Sequence, residues 1–216
     1  PLHLHAQGAL ERLLANANLR QRVAAILEPL YRSQGASQDL ARILEVQLED
    51  VADSGGRVGL LLRIGELREK RLKDPQGAFE AYGRAFAADP ADPRPRDELR
   101  RLADAEGRHG RYADTLATGI EQSSDNPSLQ AELLVEAAQL SESRLKDVDR
   151  AILFYRRLLD IDRSDPATTL PAAQALERIY QSRAESSALV DVLRIQTSFA
   201  DDLGVRKQLL ARVSQI

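Results

Sequence analysis

The sequence contains no cysteine, methionine or tryptophan, and only 4% of its residues are aromatic. The absence of cysteine excludes disulfides, thiolate metal sites and cysteine nucleophiles. No apolar run approaches the ~20 residues that a membrane-spanning helix needs. We therefore expect no membrane insertion, and a core built mainly from leucine and alanine.

The chain also carries little net charge. The formal net charge is -3 and the sequence pI is about 5.7, so the chain has no overall attraction for phosphate polymers, and we do not expect nucleic acid as a partner. Hydrophobic residues make up 43% and charged residues 29%, which excludes a disordered chain and is typical of amphipathic helices. Arginine far outnumbers lysine, which indicates a GC-rich bacterial gene.

The dominant feature is an internal repeat. Arg71-Leu72-Lys73-Asp74 recurs as Arg144-Leu145-Lys146-Asp147, 73 positions later, and the residues around both copies also correspond. A repeat of this length indicates stacked supersecondary units. Both copies fall between two predicted helices, where we expect the leucines to close the base of each helix pair, the lysines to lie at a helix C-terminus and the aspartates to cap the next helix.

Apolar residues at three-and-four spacing predict four helices in each copy, named A, B, A′ and B′. The later copy has about four extra residues around 167–170, which we expect in a loop. The predicted ranges are 57–72, 76–88, 95–107 and 111–122 in one copy, and 127–145, 148–161, 170–182 and 186–199 in the next.

The whole chain, 1–216, is thus predicted to be a single array. It divides into an orphan B helix (1–16), helix pairs at 20–51, 57–89, 95–122, 127–162 and 170–199, and the start of a further A helix (204–216). Because both ends fall inside repeats and keep apolar positions, we expect the chain to be a fragment of a longer array.

The predicted B helices carry a recognisable pattern: Ala78-Phe79-x-Ala81-Tyr82-x-x-Ala85-Phe86-x-x-Asp89-Pro90 and Ala151-Ile152-x-Phe154-Tyr155-x-x-Leu158-Leu159-x-x-Asp162. Gly65 and Ala138 supply a small residue in helix A. This pattern resembles the second helix of the tetratricopeptide repeat family, with Arg163 replacing the proline after Asp162. The resemblance covers nearly the whole chain. It implies an all-α, right-handed superhelical α-solenoid of antiparallel helix pairs.

The resemblance also implies a site. In such an array, side chains of helices A and A′ that do not pack in the core line a concave groove for a peptide or partner helix. By register with the family, the groove residues are Glu28, Arg32, Leu62, Glu66, Glu69, Arg100, Asp104, Glu132, Val135, Gln139, Glu177 and Gln181.

This set is predominantly acidic. Chaperone-binding members of the family hold a C-terminal carboxylate with lysine, arginine and asparagine, whereas Glu66, Asp104 and Gln139 stand here where asparagine is expected. We therefore expect a protein or peptide partner of basic or mixed charge, and not a chaperone tail.

Other candidate sites are weaker. His3 and His5 point apart on a helix and lack a third metal ligand. His109, in Gly107-Arg108-His109-Gly110-Arg111, could catch an anion at a helix start, but a simple turn explains it as well. Segment 160–165 lacks the glycine and the closing glutamate of a calcium loop.

Two charged clusters also have structural explanations. The aspartates at helix ends are better helix caps than catalytic acids, and are Asp89, Asp92, Asp97, Asp160, Asp162 and Asp165. A basic region is interleaved with acids and favours a mixed solvated face over an anion site; its members are Arg94, Arg96, Arg100, Arg101, Arg108 and Arg111.

We therefore predict a non-catalytic protein–protein interaction scaffold without cofactor or metal, since no nucleophile, base and orienting group occur together. Two alternatives remain: a structural or regulatory repeat region of a larger enzyme-containing or sensory polypeptide, and an RNA-associated module, which requires a continuous basic face. The sequence leaves the oligomeric state open. It is compatible with a cytoplasmic or a periplasmic location.

Overall fold

The computed structural model describes residues 2–161 and 165–216, with side chains from His5 onward. The predicted helix end at Asp162, its neighbour Arg163, part of the 160–165 segment and the side chain of His3 lie outside the described residues. The α-helices are α1 (Leu2–Leu13), α2 (Arg20–Gln34), α3 (Ser37–Leu48), α4 (Ser54–Lys70), α5 (Pro75–Ala88), α6 (Pro93–Glu106), α7 (His109–Gln122), α8 (Pro127–Leu140), α9 (Val148–Ile161), α10 (Pro166–Arg183), α11 (Ser186–Ser198) and α12 (Leu203–Ser214).

The helices form two compact units, residues 1–107 with α1–α6 and residues 108–216 with α7–α12. Within each unit, every helix packs against the next one along the chain. Short connections make neighbouring helices antiparallel. The described residues contain no strand. The prediction of an all-α fold of antiparallel, tetratricopeptide-like helix pairs is thus confirmed within each unit, while the superhelical arrangement of the whole array stays a prediction.

Apolar stripes on successive helices build the core. In the first unit Leu27 and Tyr31 of α2, Leu44 of α3 and Ile64 of α4 are almost fully buried in one cluster that continues into α5. In the second unit the predicted stripe of helix A, residues 133–138 of α8, contributes buried leucines and alanines. Leucine and alanine dominate, as the scarcity of aromatic residues predicts.

Carboxylates begin many of the helices. Asp53, Asp92, Asp165 and Asp202 each accept a hydrogen bond from a backbone N–H in the first turn of α4, α6, α10 and α12. Such caps satisfy amides that a helix start leaves free. Hydrogen bonds from Arg94 lower the pKa of Asp92, against a smaller opposing effect of burial. Asp92 and Asp165 therefore cap helices, as the sequence predicts, whereas Asp97 and Asp160, which were expected in the same role, lie inside α6 and α9.

The repeated Arg-Leu-Lys-Asp segment forms the same turn twice. Asp74 accepts from the N–H of Gly77 at 2.8 Å, and Asp147 accepts from the N–H of Arg150 at 3.0 Å, which confirms the predicted caps. Each aspartate N–H also donates, at 2.9 Å, to the carbonyl six residues earlier. Lys73 and Lys146 both adopt φ of 56°, a left-handed conformation that the sequence did not predict.

One prediction about the later copy of the repeat is wrong. Residues 167–170, expected in a loop, form the first turns of α10, which begins at Pro166. Proline suits a helix start because its missing N–H has no partner there. Thr169 is almost fully buried, so the extra residues lengthen the helix and add to its packing.

Helices α4 and α5 approach closely at Gly65. A Cβ added there would overlap the ring of Tyr82, which is 2% exposed. Position 138, the equivalent residue 73 positions later, is the almost fully buried Ala138. The small-residue position of helix A thus works as predicted, and in the first unit only glycine fits.

The turn geometry predicts that Lys146→Gly stabilises the protein. A left-handed conformation is unfavourable by about 1–2 kcal/mol for residues with a Cβ, while glycine loses about 0.5–1 kcal/mol in chain entropy. Urea unfolding should show a gain of up to about 1 kcal/mol. Lys207→Gly, inside α12, is the control and should destabilise. A loss at both positions would contradict this account.

Because α4 and α5 approach closely at Gly65, replacing this glycine should destabilise the protein. Gly65→Ala should lower the free energy of unfolding by about 1–3 kcal/mol, the usual effect of overpacking. Gly83→Ala in α5 is the matched control. A Cβ there meets nothing within 4 Å, so a gain of about 0.5–1 kcal/mol is expected from helix propensity. Equal effects at both positions would disprove the steric explanation.

Candidate functional site

A cleft of about 590 Å³ lies between α4 and α6 in the first unit. We call it the α4–α6 cleft. Its walls come from the predicted A and A′ helices, and Tyr82 of α5 reaches it from between them. The cleft brings together three predicted groove residues, Leu62, Glu66 and Glu69.

Glu69 is held inside this cleft by two neighbours. The hydroxyl of Tyr82 donates to its carboxylate at 3.4 Å, and Arg101 of α6 donates at 2.5 Å. Burial raises the pKa of Tyr82, and the charges of Glu98 and Glu69 raise it further. The Glu69 carboxylate thus connects α4, α5 and α6. A partner would have to displace Arg101 to reach it.

The same arrangement recurs in the second unit. Tyr155 of α9 donates to Glu142 at 3.2 Å, and Arg178 of α10 pairs with that carboxylate at 2.5 Å. Burial, followed by the charge of Glu142 and its hydrogen bond, raises the pKa of Tyr155 to about 12. The tyrosine and glutamate lie 73 positions after Tyr82 and Glu69, and the arginine lies 77 after Arg101. This recurrence indicates an architectural role for Glu69.

The charges lining the α4–α6 cleft are balanced. Four cations, Arg63, Lys70, Arg94 and Arg101, face four anions, Glu66, Glu69, Asp97 and Glu98. Glu66 and Lys70 form an exposed pair at 2.8 Å on the rim. The predicted groove set is acidic because it omits these cations, and the surface that the structure presents is mixed.

Glu28 joins three helices of the first unit. Its carboxylate on α2 pairs with Arg63 of α4 and Arg32 of α2, and accepts from Gln47 of α3 at 2.8 Å. Burial alone would raise the pKa of Glu28, but hydrogen bonds from Arg63 and Gln47 and the nearby arginine charges lower it. Its side chain is only 16% exposed, so Glu28 is occupied within the fold.

Glu177 repeats this node 149 positions later. It accepts from Gln196 of α11 at 2.7 Å and from Gln181 at 3.2 Å, and it pairs with Arg212 of α12. Gln196 and Arg212 also lie 149 positions after Gln47 and Arg63. The two nodes therefore fix α2 and α3 to α4 in the first unit, and α10 and α11 to α12 in the second.

The remaining predicted groove residues are dispersed. Arg32 and Glu66 line a neighbouring cleft of about 570 Å³ between α2, α3 and α4. In the second unit, Glu132 and Val135 line a cleft of about 350 Å³ beside α8. Three exposed residues lie outside these clefts: Arg100, which pairs with Asp97 at 3.4 Å, Asp104 and Gln139.

The structure gives little support to the other candidate sites. Among the described residues, no group of three or more histidines, aspartates and glutamates could hold a metal ion. His5 is exposed and His109 begins α7. Arg94 pairs with Asp92 and Arg101 with Glu98, which agrees with a mixed solvated face. No described helix is long and apolar enough to cross a membrane.

The sequence did not predict that Arg63, Lys70 and Arg101 line the site, although Arg101 was assigned to the basic region. Two of them carried a signal. Arg63 recurs as Arg212 at the offset of 149 that also relates Glu28 to Glu177. Arg101 recurs as Arg178 at an offset of 77, four more than the 73 that relates Glu69 to Glu142. Charged residues that recur together with opposite charges identify ion pairs between repeats.

No protein-family model and no curated protein matches the chain. Solved structures similar to it include MamA (14% identity, 88% of this chain and 97% of that chain, TM-score 0.41). PilF of Pseudomonas aeruginosa (15%, 90% and 83%, 0.41) and BtubC from P. vanneervenii (16%, 98% and 89%, 0.43) are similar to it as well. At these identities and TM-scores, the likenesses carry no conclusion; the fold rests on the helices described above.

The Glu28 node predicts a contribution to stability that depends on pH. Because folding lowers the pKa of Glu28 from its ordinary value of 4.5, the contribution is complete above that value and is lost as the pH falls through the folded pKa. Glu28→Gln should destabilise by about 1–2 kcal/mol at pH 7, since charged hydrogen bonds contribute about 1.5–3 kcal/mol but water still reaches this carboxylate.

Urea unfolding between pH 7 and pH 3 checks this prediction. The difference between the wild type and Glu28→Gln should shrink on acidification. Glu49→Gln is the control, because Glu49 is 56% exposed and pairs with Arg20, and it should change stability by less than about 1 kcal/mol. A pH-independent difference at Glu28 would show that the carboxylate charge is not responsible.

Proposed function

We propose that this chain is a non-catalytic scaffold that binds an extended segment of a partner protein in the α4–α6 cleft. The observation that carries the proposal is the cleft itself. It is about 590 Å³ in volume and is formed by side chains of α4 and α6 that the core does not use. Pockets of this size suit a few side chains of a peptide.

The chemistry of the cleft favours a partner of mixed charge. Glu69 and Arg101 are fixed to each other, and Arg63 is engaged by Glu28. Glu66 and Lys70 remain on the rim as an exposed pair, 59% and 65% exposed respectively. Such a pair contributes only about 0.3–0.5 kcal/mol, so a partner can replace it readily. A segment with one acidic and one basic side chain around an apolar residue over Leu62 fits this surface.

An RNA-associated module requires a continuous basic face. In the first unit, the arginines of the basic region alternate with carboxylates that pair with them, as Arg94 does with Asp92 and Arg100 with Asp97. This pattern supports a protein partner over an RNA partner.

Peptide display against the folded chain tests the proposal. We expect enrichment of peptides that contain an acidic, an apolar and a basic residue. Affinities for the enriched peptides should fall at least about fivefold in the double variant Glu66→Lys with Lys70→Glu, which keeps the ion pair but reverses its direction.

Glu80→Lys is the matched control, because Glu80 is an exposed glutamate on α5 that does not line the cleft. It should leave affinity within about twofold. Circular dichroism verifies that both variants fold. Peptides that bind the rim variant as tightly as the wild type would place the site elsewhere.

A further inference from the structure

A second cleft, of about 380 Å³, lies between α9, α10 and α11 in the second unit. We call it the outer cleft, because none of the twelve predicted groove residues lines it. Its apolar surface comes from Leu159, Leu176, Val192 and Ile195. Leu159, Leu176 and Val192 are largely buried, so they form the floor of a cleft whose accessible lining is of mixed polarity.

Tyr180 lines this cleft and is 3% exposed as a whole residue. Its hydroxyl makes no hydrogen bond within the described part of the chain and is not a buried atom, so it faces the solvent in the cleft. By contrast, Tyr31, Tyr82, Tyr112 and Tyr155 each donate to a glutamate. The Tyr180 hydroxyl is therefore open to the cleft, where it can donate a hydrogen bond to a ligand.

Three charged residues line the outer cleft: Arg156, Asp160 and Asp191. Arg156 of α9 and Asp191 of α11 are exposed, and neither takes part in an ion pair among residues 2–161 and 165–216. Burial raises the pKa of Tyr180; the charges of Arg156 and Arg183 lower it, and those of Glu185 and Asp191 raise it. Neighbouring arginines behave differently, since Arg157 pairs with Glu121.

At the equivalent positions of the first unit, 149 residues earlier, the tyrosine hydroxyl and the charged side chains have partners. Tyr31 donates to Glu11, and Asp39 pairs with Arg42 at 3.2 Å. In the second unit, Ala188 replaces Asp39 and Asp191 replaces Arg42. These two substitutions remove the ion pair, shorten a side chain and leave an unpaired negative charge beside the outer cleft.

We infer that the outer cleft is a second docking site, independent of the α4–α6 cleft. Its occupant is a protein segment that carries one large apolar side chain between an acidic residue, which pairs with Arg156, and a basic residue, which pairs with Asp191. The apolar side chain fills the cleft, and a backbone carbonyl accepts from Tyr180. Leu153, which is 63% exposed and lies one turn before Arg156, extends the apolar contact.

Binding of a defined probe peptide tests this inference. The probe is acetyl-Ser-Glu-Ser-Phe-Ser-Lys-Ser-amide, titrated into the isotope-labelled chain and followed by amide chemical shifts. We expect saturable shifts confined to residues 153–160, 176–180 and 188–195. The same peptide with serine in place of phenylalanine should not produce them. Absence of saturable shifts, or equal shifts with the serine peptide, would overturn the inference.

Variants separate the contributions of the two charges and of the cleft volume to peptide binding. Arg156→Gln and Asp191→Asn should each weaken binding about twofold to fivefold, as expected for exposed ion pairs, and Ala188→Leu should abolish binding by filling the cleft. Arg194→Gln is the matched control, because it removes an exposed arginine of α11 outside the cleft. Loss of binding in this control to the same degree, or no loss in the two rim variants, would contradict the inference. A negative result at the outer cleft does not affect the proposal for the α4–α6 cleft, because the two clefts share no lining residue.

Discussion

Packing of each helix against the next one is the interaction on which the rest of the structure depends. The helices are 12–18 residues long, a length that is marginal for an isolated helix in water. Their stability must therefore come from the apolar stripes that they share with their neighbours. Leu27, Leu44 and Ile64, from three successive helices, meet in one buried cluster.

This dependence explains why charged residues that the repeat register assigns to a groove also serve the fold. Apolar packing holds helices together but leaves their relative rotation less well determined than directional hydrogen bonds do. Glu69 and Glu142 each contact a tyrosine and an arginine from two further helices. Glu28 and Glu177 connect the next junction in the same way. In the proposed function, partner recognition is left to exposed residues such as Glu66 and Lys70.

The sequence predicted the elements that follow from local rules. Helix positions followed from apolar spacing, and the caps at Asp74 and Asp147 followed from aspartates placed before a helix. The left-handed lysines were not predictable, because lysine carries no local signal for positive φ. Residues 167–170 were wrongly assigned to a loop, since an inserted segment between helices can equally extend the one that follows. Their neighbour Pro166 was the available clue.

The candidate site was predicted less completely, and for a physical reason. Family register identifies which side chains leave the core, but ion pairing depends on rotamers and on residues about 35 positions away, such as Glu28 with Arg63. The acidic groove consequently became a balanced surface once its cations were located. Departures between equivalent positions, such as Ala188 for Asp39, were equally informative, because they mark where one copy of the repeat lost an internal contact.

The central claim is that recurring carboxylates join successive helix pairs. A double-mutant cycle on Glu177 and Arg212, with Gln replacing each, tests it most directly by urea unfolding. The account predicts that the two residues stabilise the protein jointly, with a coupling energy of about 0.5–1 kcal/mol or more, and that the cycle on Glu28 and Arg63 gives a similar value. Additive effects in both cycles, with no coupling, would contradict it.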